Sequence, residues 1–185
     1  MRSRVASALA TVLVPLLACS AGQKGAPMTL TITSPAFAAN ASIPSQFTCE
    51  GPNISPELKW SGVPAQAKSL ALIVDDPDAP DPAHPKTTWV HWVAYDIPVA
   101  SAGVPENAGK LGVPGARAGK NDFGDAGWGG PCPPIGRHRY FFRLFALDTQ
   151  LGDLGQPDRA ALDKAMKGHI LAQGELVGTY QKTRK

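Results

Sequence analysis

The sequence predicts an all-β protein: a two-sheet antiparallel β-sandwich with one late α-helix and one long glycine-rich loop. Three observations lead there. Glycine (19) and proline (18) are abundant among 185 residues, which favours many turns over a helical bundle. Three long runs place apolar side chains with the period of two expected of strands. A 3.6-residue apolar stripe occurs in one segment, late in the chain.

In chain order, Thr29 to Thr33 alternates polar and apolar residues, as a half-buried strand does. Ser34 to Pro56 is rich in turn residues, and Leu58 to Trp60 reads as a short strand. Ser69 to Asp75 is apolar on both faces, with Leu70, Leu72 and Val74 on one and Ala71 and Ile73 on the other, so it is placed centrally. Asp76 follows on the Leu70–Val74 face, where the strand is expected to leave the sheet. Thr87 to Ile97 alternates Trp89, His91, Val93 and Tyr95 against Val90, Trp92 and Ala94. Val99 to Trp128 carries seven glycines in thirty residues and reads as one long loop. Arg139 to Asp148 is the third long strand, and it sets His138 and Tyr140 on one face. Pro157 to Gln173 carries the helical stripe Leu162, Ala165, Met166, His169 and Ile170. Gly168 interrupts that stripe and suggests close packing there. Glu175 to Gln181 is a closing strand.

Apolar residues make up 43% and charged residues 18%, a globular composition. Residues 1–18 read as a signal peptide, with Arg2 and Arg4 ahead of the apolar run Val5 to Ala18. That run is short for a membrane span. Without those two arginines the body carries 16 Lys and Arg against 15 Asp and Glu. A body so close to neutral, with no basic stripe, argues against nucleic acid as a partner. Leu16-Leu17-Ala18-Cys19 resembles a bacterial lipobox, which implies lipidation of Cys19 and attachment to a membrane through that lipid. Residues 19–28 then form a lipidated tether and 29–185 the folded domain. The expected location is the periplasmic side of the cell envelope. Cys49 and Cys132 remain in the body; in an oxidising compartment they form either a disulfide or two separate buried thiols.

Candidate site residues gather around two proline-rich segments, Asp75 to Pro80 and Gly129 to Tyr140. Asp76 and Asp78 flank Pro77 and read as a pocket wall or as an Asx-type turn. His91 lies mid-strand, and His138 stands at a strand mouth beside a rigid loop. The Gly129-Gly130-Pro131 bend brings bare backbone close to a ligand and could form an anion nest. Two histidines, two carboxylates, Tyr140 and this bend suit a small anion, with Trp89 as an apolar wall. On this reading His138 and the Gly130 bend donate to the anion, while Asp76 and His91 form the floor. Asp76, His91 and His138 offer zinc-ligand chemistry at a spacing that is not diagnostic, and no metal is assigned. The chain has no G-x-S-x-G elbow, H-E-x-x-H pair or P-loop, so no catalytic residue and no cofactor are assigned.

At Asp76-Pro77-Asp78-Ala79-Pro80, Trp89-Val90-His91 and Gly136-Arg137-His138-Arg139-Tyr140, the chain resembles the phosphatidylethanolamine-binding protein family. It is most similar to the bacterial branch called Raf-kinase-inhibitor-like. Phe47-Thr48-Cys49-Glu50-Gly51, Asn53-Ile54-Ser55-Pro56, Lys120-Asn121-Asp122-Phe123-Gly124 and Gly174 to Tyr180 also match that branch. The resemblance implies a two-sheet fold with a small anion pocket lined by Asp76, Asp78, Pro80, Trp89, His91, Gly130, His138 and Tyr140. It also implies a homodimer. Val90 stands where eukaryotic members can carry a further histidine, and kinase inhibition is not carried over. The expected function is reversible binding of a small phosphorylated or carboxylate ligand. The alternatives are a regulatory module that inhibits an envelope protease or kinase-like partner, and a weak hydrolase.

Overall fold

The structure is a computed structural model that describes residues 28–183. The expected signal peptide 1–18, the lipidated Cys19 and all of the tether except Met28 lie outside the described residues. The strands are β1 (Met28–Thr29), β2 (Thr31–Thr33), β3 (Leu58–Ser61), β4 (Ser69–Ala79), β5 (Thr87–Ile97), β6 (Gly103–Val104), β7 (Arg117–Ala118), β8 (His138–Leu147) and β9 (Ile170–Tyr180). The helices are α1 (Ala108–Leu111) and α2 (Arg159–Met166), with one 3-10 turn at Ser45–Phe47. Six strands form a large sheet in the order β1-β9-β8-β4-β5-β7, and three form a small one in the order β2-β3-β6. Pairing is antiparallel except between β1 and β9.

The apolar alternation read in the sequence explains the two layers. Leu70, Leu72 and Val74 of β4 face inward with Phe142 and Leu144 of β8, and meet Ile32, Leu58, Trp60 and Val104 of the small sheet. Ala71 and Ile73 face outward and are covered by Leu162 and Met166 of α2. Each such side chain contributes about 1.5–3 kcal/mol on burial, so β4, apolar on both faces, is the spine of the fold. Helix α2 starts at Asp158, whose carboxylate accepts from the Ala161 N–H at 2.8 Å. Arg159 also pairs with the buried Asp75 of β4, tying the helix to the sheet it covers.

Several boundaries differ from the sequence expectation, each for a local reason. The run Thr29 to Thr33 breaks at Leu30, so that β1 joins the large sheet and β2 the small one. Helix α2 ends at Met166 rather than running to Gln173, because Gly168 adopts φ +85°. An added Cβ at Gly168 would meet nothing within 4 Å, so left-handed backbone and not close packing explains this glycine. The segment expected as one loop supplies α1 and two short strands, β6 and β7, which pair with β3 and β5 respectively at sheet edges. Strand β4 does not stop at Asp75 but continues through Pro77 to Ala79.

The alternation also fails inside β5. Val74 pairs with Trp92 and Asp75 with Val90, leaving His91 as an extra residue opposite no partner. This β-bulge turns Trp92 and Ala94 into the inner core beside His91, and moves Val93 and Tyr95 to the outer cluster.

Cys49 and Cys132 form a disulfide across 83 residues. It joins the loop after the 3-10 turn to the loop before β8, beside a backbone bond from the Cys49 N–H to the Pro131 carbonyl at 3.1 Å. Closing a loop of this length removes much entropy from the unfolded chain. Replacing both cysteines by serine is therefore expected to cost about 2–5 kcal/mol of stability. Denaturant unfolding of the double variant against wild type checks this, and an unchanged midpoint would contradict it.

Candidate functional site

The site begins where β4 and β8 part. Their ladder runs from the Ser69–Leu147 pair to the Asp75–Phe141 pair and ends there. Pro77 has no N–H to give to a continuing ladder. Side-chain carboxylates take over the work of the backbone. Asp76 Oδ1 accepts from the Asp78 N–H at 2.8 Å and Oδ2 lies 2.7 Å from His138 Nδ1. Asp78 accepts from the Arg139 backbone N–H and Nε, both at 2.9 Å, and from Nη2 at 2.6 Å. The Arg139 side-chain hydrogen bond holds the Asp78 carboxyl below its ordinary range, against the opposing effect of burial. Asp76 therefore makes an Asx-type turn and orients His138 at the same time.

His138 is fully buried. Its Nε2 lies 3.0 Å from the Ile135 carbonyl, which only accepts, so Nε2 carries a hydrogen. Its Nδ1 shares a proton with Asp76. Both nitrogens are thus occupied within the protein. Instead of donating to an incoming anion as the sequence suggested, His138 pins the loop before β8 against the end of β4.

His91 differs. Its Nδ1 lies 2.5 Å from the Gly129 carbonyl, and the Gly129 N–H donates back to the His91 carbonyl at 2.9 Å. The carbonyl fixes the hydrogen on Nδ1. The Nε2 of His91 is buried and has no hydrogen-bond partner among the described residues, and the same is true of the Tyr140 hydroxyl. The two rings stand 5.1 Å apart. Burial holds the His91 pKa below its ordinary value, outweighing the pull of Asp76, Asp75 and Asp122. Burial likewise raises that of Tyr140, which therefore keeps its hydrogen.

Both residues line a cavity of about 230 Å³, together with Asp76, Ala79, Pro80, Trp89, Phe123, Cys132, Pro133, Pro134 and His138. That volume lies below the roughly 300–1,000 Å³ usual for drug-sized ligands, so the site suits a small group. A larger hollow of about 310 Å³ beneath α1 is lined mainly by glycine, alanine and valine, and its two cations, Lys110 and Arg117, are both exposed. Among the described residues, no three His, Cys, Asp or Glu side chains converge to hold a metal ion.

Six of the eight expected pocket residues line the cavity: Asp76, Pro80, Trp89, His91, His138 and Tyr140. Asp78 and Gly130 are not part of its lining. Asp78 is spent on Arg139, and the Gly130 N–H donates to Asn53 Oδ1 at 2.9 Å. With the Gly129 N–H also taken, the bend offers no anion nest. Gly130 is required for another reason: a Cβ there would lie 2.1 Å from Asn53 Oδ1 and 2.4 Å from the Phe47 carbonyl. Phe123 was not anticipated as a wall. Its ring lies 5.5 Å from Trp89 and 5.6 Å from His91. Buried Asn121 shapes its loop, with Oδ1 accepting from the N–H groups of Phe123 and Asp125 at 3.0 and 3.1 Å. The signals were present: Asn53, Asn121 and Phe123 fall in segments that carried the family resemblance.

Splayed strand ends above an inward histidine and tyrosine define a β-sandwich with a small end pocket. The chain belongs to the phosphatidylethanolamine-binding protein family, whose model matches residues 33–181. It is 52% identical over 152 residues to a UPF0098 protein of Methanothermobacter thermautotrophicus, covering 80% of this chain and 95% of that one. The fold is similar to the crystal structure of the family homologue CT736 from Chlamydia trachomatis, with a TM-score of 0.77, 41% identity, and coverage of 83% of this chain and 98% of that one. It is also similar to Escherichia coli YbcL, with a TM-score of 0.75, 34% identity, and coverage of 83% and 99%.

The Asp78–Arg139 contact makes a signed prediction. Asp78→Asn is expected to cost about 1–2 kcal/mol at neutral pH, a value held down by the exposure of Arg139. Because the folded carboxyl titrates below its unfolded value of about 3.9, this stabilisation is full above that pH. It is lost as pH falls through the folded pKa. Unfolding curves of variant and wild type should therefore differ at pH 7 and converge in acid.

Proposed function

We propose that this protein reversibly captures a small anionic acid, a phosphate monoester or a carboxylate, in the pocket between Tyr140 and His91. One observation carries the reading: two buried polar groups, the Tyr140 hydroxyl and His91 Nε2, have no hydrogen-bond partner among the described residues, and both residues line one small cavity. Leaving such groups unsatisfied costs about 1–3 kcal/mol each, which an acid with one oxygen at each of them would recover. The tyrosine donates, the Trp89 and Phe123 rings wall the site, and Asp76 and His138 hold its far side rigid. Membership of the family supports the reading. The exposed Cys49–Cys132 bridge supports the placement outside the cytoplasm that the leader suggests.

The test is titration of the domain with phosphate, phosphoethanolamine and acetate, followed through the imidazole resonances of His91. Saturable shifts are expected. Tyr140→Phe, which removes only the hydroxyl, should weaken binding about tenfold or more. Flat titrations with all three would refute the proposal.

A further inference from the structure

The binding reading leaves open what protonation state the pocket accepts, and the tautomer of His91 decides it. The Gly129 carbonyl can only accept, so His91 Nδ1 must donate to it, and the neutral ring of this cavity-lining residue carries a lone pair, not a hydrogen, at Nε2. The ring is not free to rearrange. Gly129 is held by its own N–H bond to the His91 carbonyl, and Tyr140 and Phe123 pack edge-on to the ring at 5.1 and 5.6 Å. A fully deprotonated ligand oxygen brought up to Nε2 would set lone pair against lone pair.

Resting on the anion-binding reading, we propose that the pocket binds its anion together with one proton, held between His91 Nε2 and the facing ligand oxygen. The occupied site then contains a protonated acid overall, whether the hydrogen arrives on the ligand or on the ring. Tyr140 donates to a second ligand oxygen.

The charged and titratable groups around the ring agree. From β4 come Asp76, bonded to His138, and Asp75, paired with Arg143 and Arg159. From the loop after β7 comes Asp122, which accepts from the Val90 N–H at 2.8 Å. From β8 come Tyr140, which keeps its hydrogen, and His138, which shares one with Asp76. The three carboxylates favour a positive ring, but burial outweighs them in the free protein. An anion arriving at Nε2 adds the missing negative charge, so binding is what brings the proton in. The same carboxylates disfavour a ligand that brings a double negative charge without a proton.

The experiment uses sulfate as its main probe, because sulfate carries no proton of its own between about pH 5.5 and 8.5. Isothermal calorimetry in two buffers of different ionisation enthalpy counts the protons taken up. Close to one proton per sulfate is expected at the alkaline end, and affinity should fall about tenfold per pH unit above the folded pKa of His91. Phosphate and phosphoethanolamine, run alongside, distinguish a free anion from a head group by their relative affinity, with the same uptake expected from their dianions. In the wild type, the Nε2 nitrogen resonance of His91 should move from the unprotonated to the protonated range on saturation. In His91→Gln, checked for fold by the His138 resonances, proton uptake and the pH dependence of whatever sulfate affinity remains should both be lost. Sulfate binding with constant affinity across this range and no uptake would overturn the proton rule while leaving anion binding intact. Failure of every anion to bind at any pH would overturn both.

Discussion

A strand that continues through a proline must give up a neighbour, and this protein builds its pocket on that loss. At Pro77 the β4–β8 ladder has no donor to continue with. The N–H and side-chain donors of the next β8 residues have to be satisfied in another way. Asp76 and Asp78 are spaced to meet them, one reaching His138 and the other the backbone and guanidinium of Arg139. The strands separate without leaving these polar groups unpaired, and the gap between them becomes the cavity. His138 then passes the constraint on to the Ile135 carbonyl, which fixes the loop that closes the far wall.

The opposite wall follows from a second local irregularity. One extra residue in β5 keeps Trp89 and His91 on the cavity side while returning Trp92 to the core. Without the bulge, strict alternation would require either His91 or Trp92 to face outward. The bulge also sets the His91 backbone where Gly129 can exchange bonds with it. Most polar atoms around the cavity are thereby committed to internal partners. Two have no partner among the described residues, a donor from β8 and a ring nitrogen from β5.

Much of this was legible in the sequence. The alternation of β8 placed His138 and Tyr140 on one face, and the two-faced apolarity of β4 placed it centrally, because side-chain direction in an unbroken strand depends only on counting. Counting fails wherever an irregularity intervenes. The bulge at His91 leaves no compositional mark, so Val93 and Tyr95 were assigned to the wrong side. The stripe through His169 and Ile170 mimics helix, while the left-handed turn at Gly168 leaves His169 in the turn and starts β9 at Ile170. The choice of acceptor was equally hidden. Whether a histidine is free or spent depends on carbonyls such as Ile135 and Gly129, which every residue type carries alike. The sequence therefore pointed to residues that line the cavity more readily than to what their polar atoms bond.

The mouth of the cavity is built from residues with few ways to move. Pro80, Pro133 and Pro134 have ring-locked backbones, and Cys132 is crosslinked to Cys49. The freedom that a flexible binding loop surrenders when its ligand arrives has here been surrendered during folding. On the binding reading, no lid has to close and no rare open state has to be awaited. Association would then run at the rate of productive encounter, and one ligand would be told from another chiefly by how long it stays.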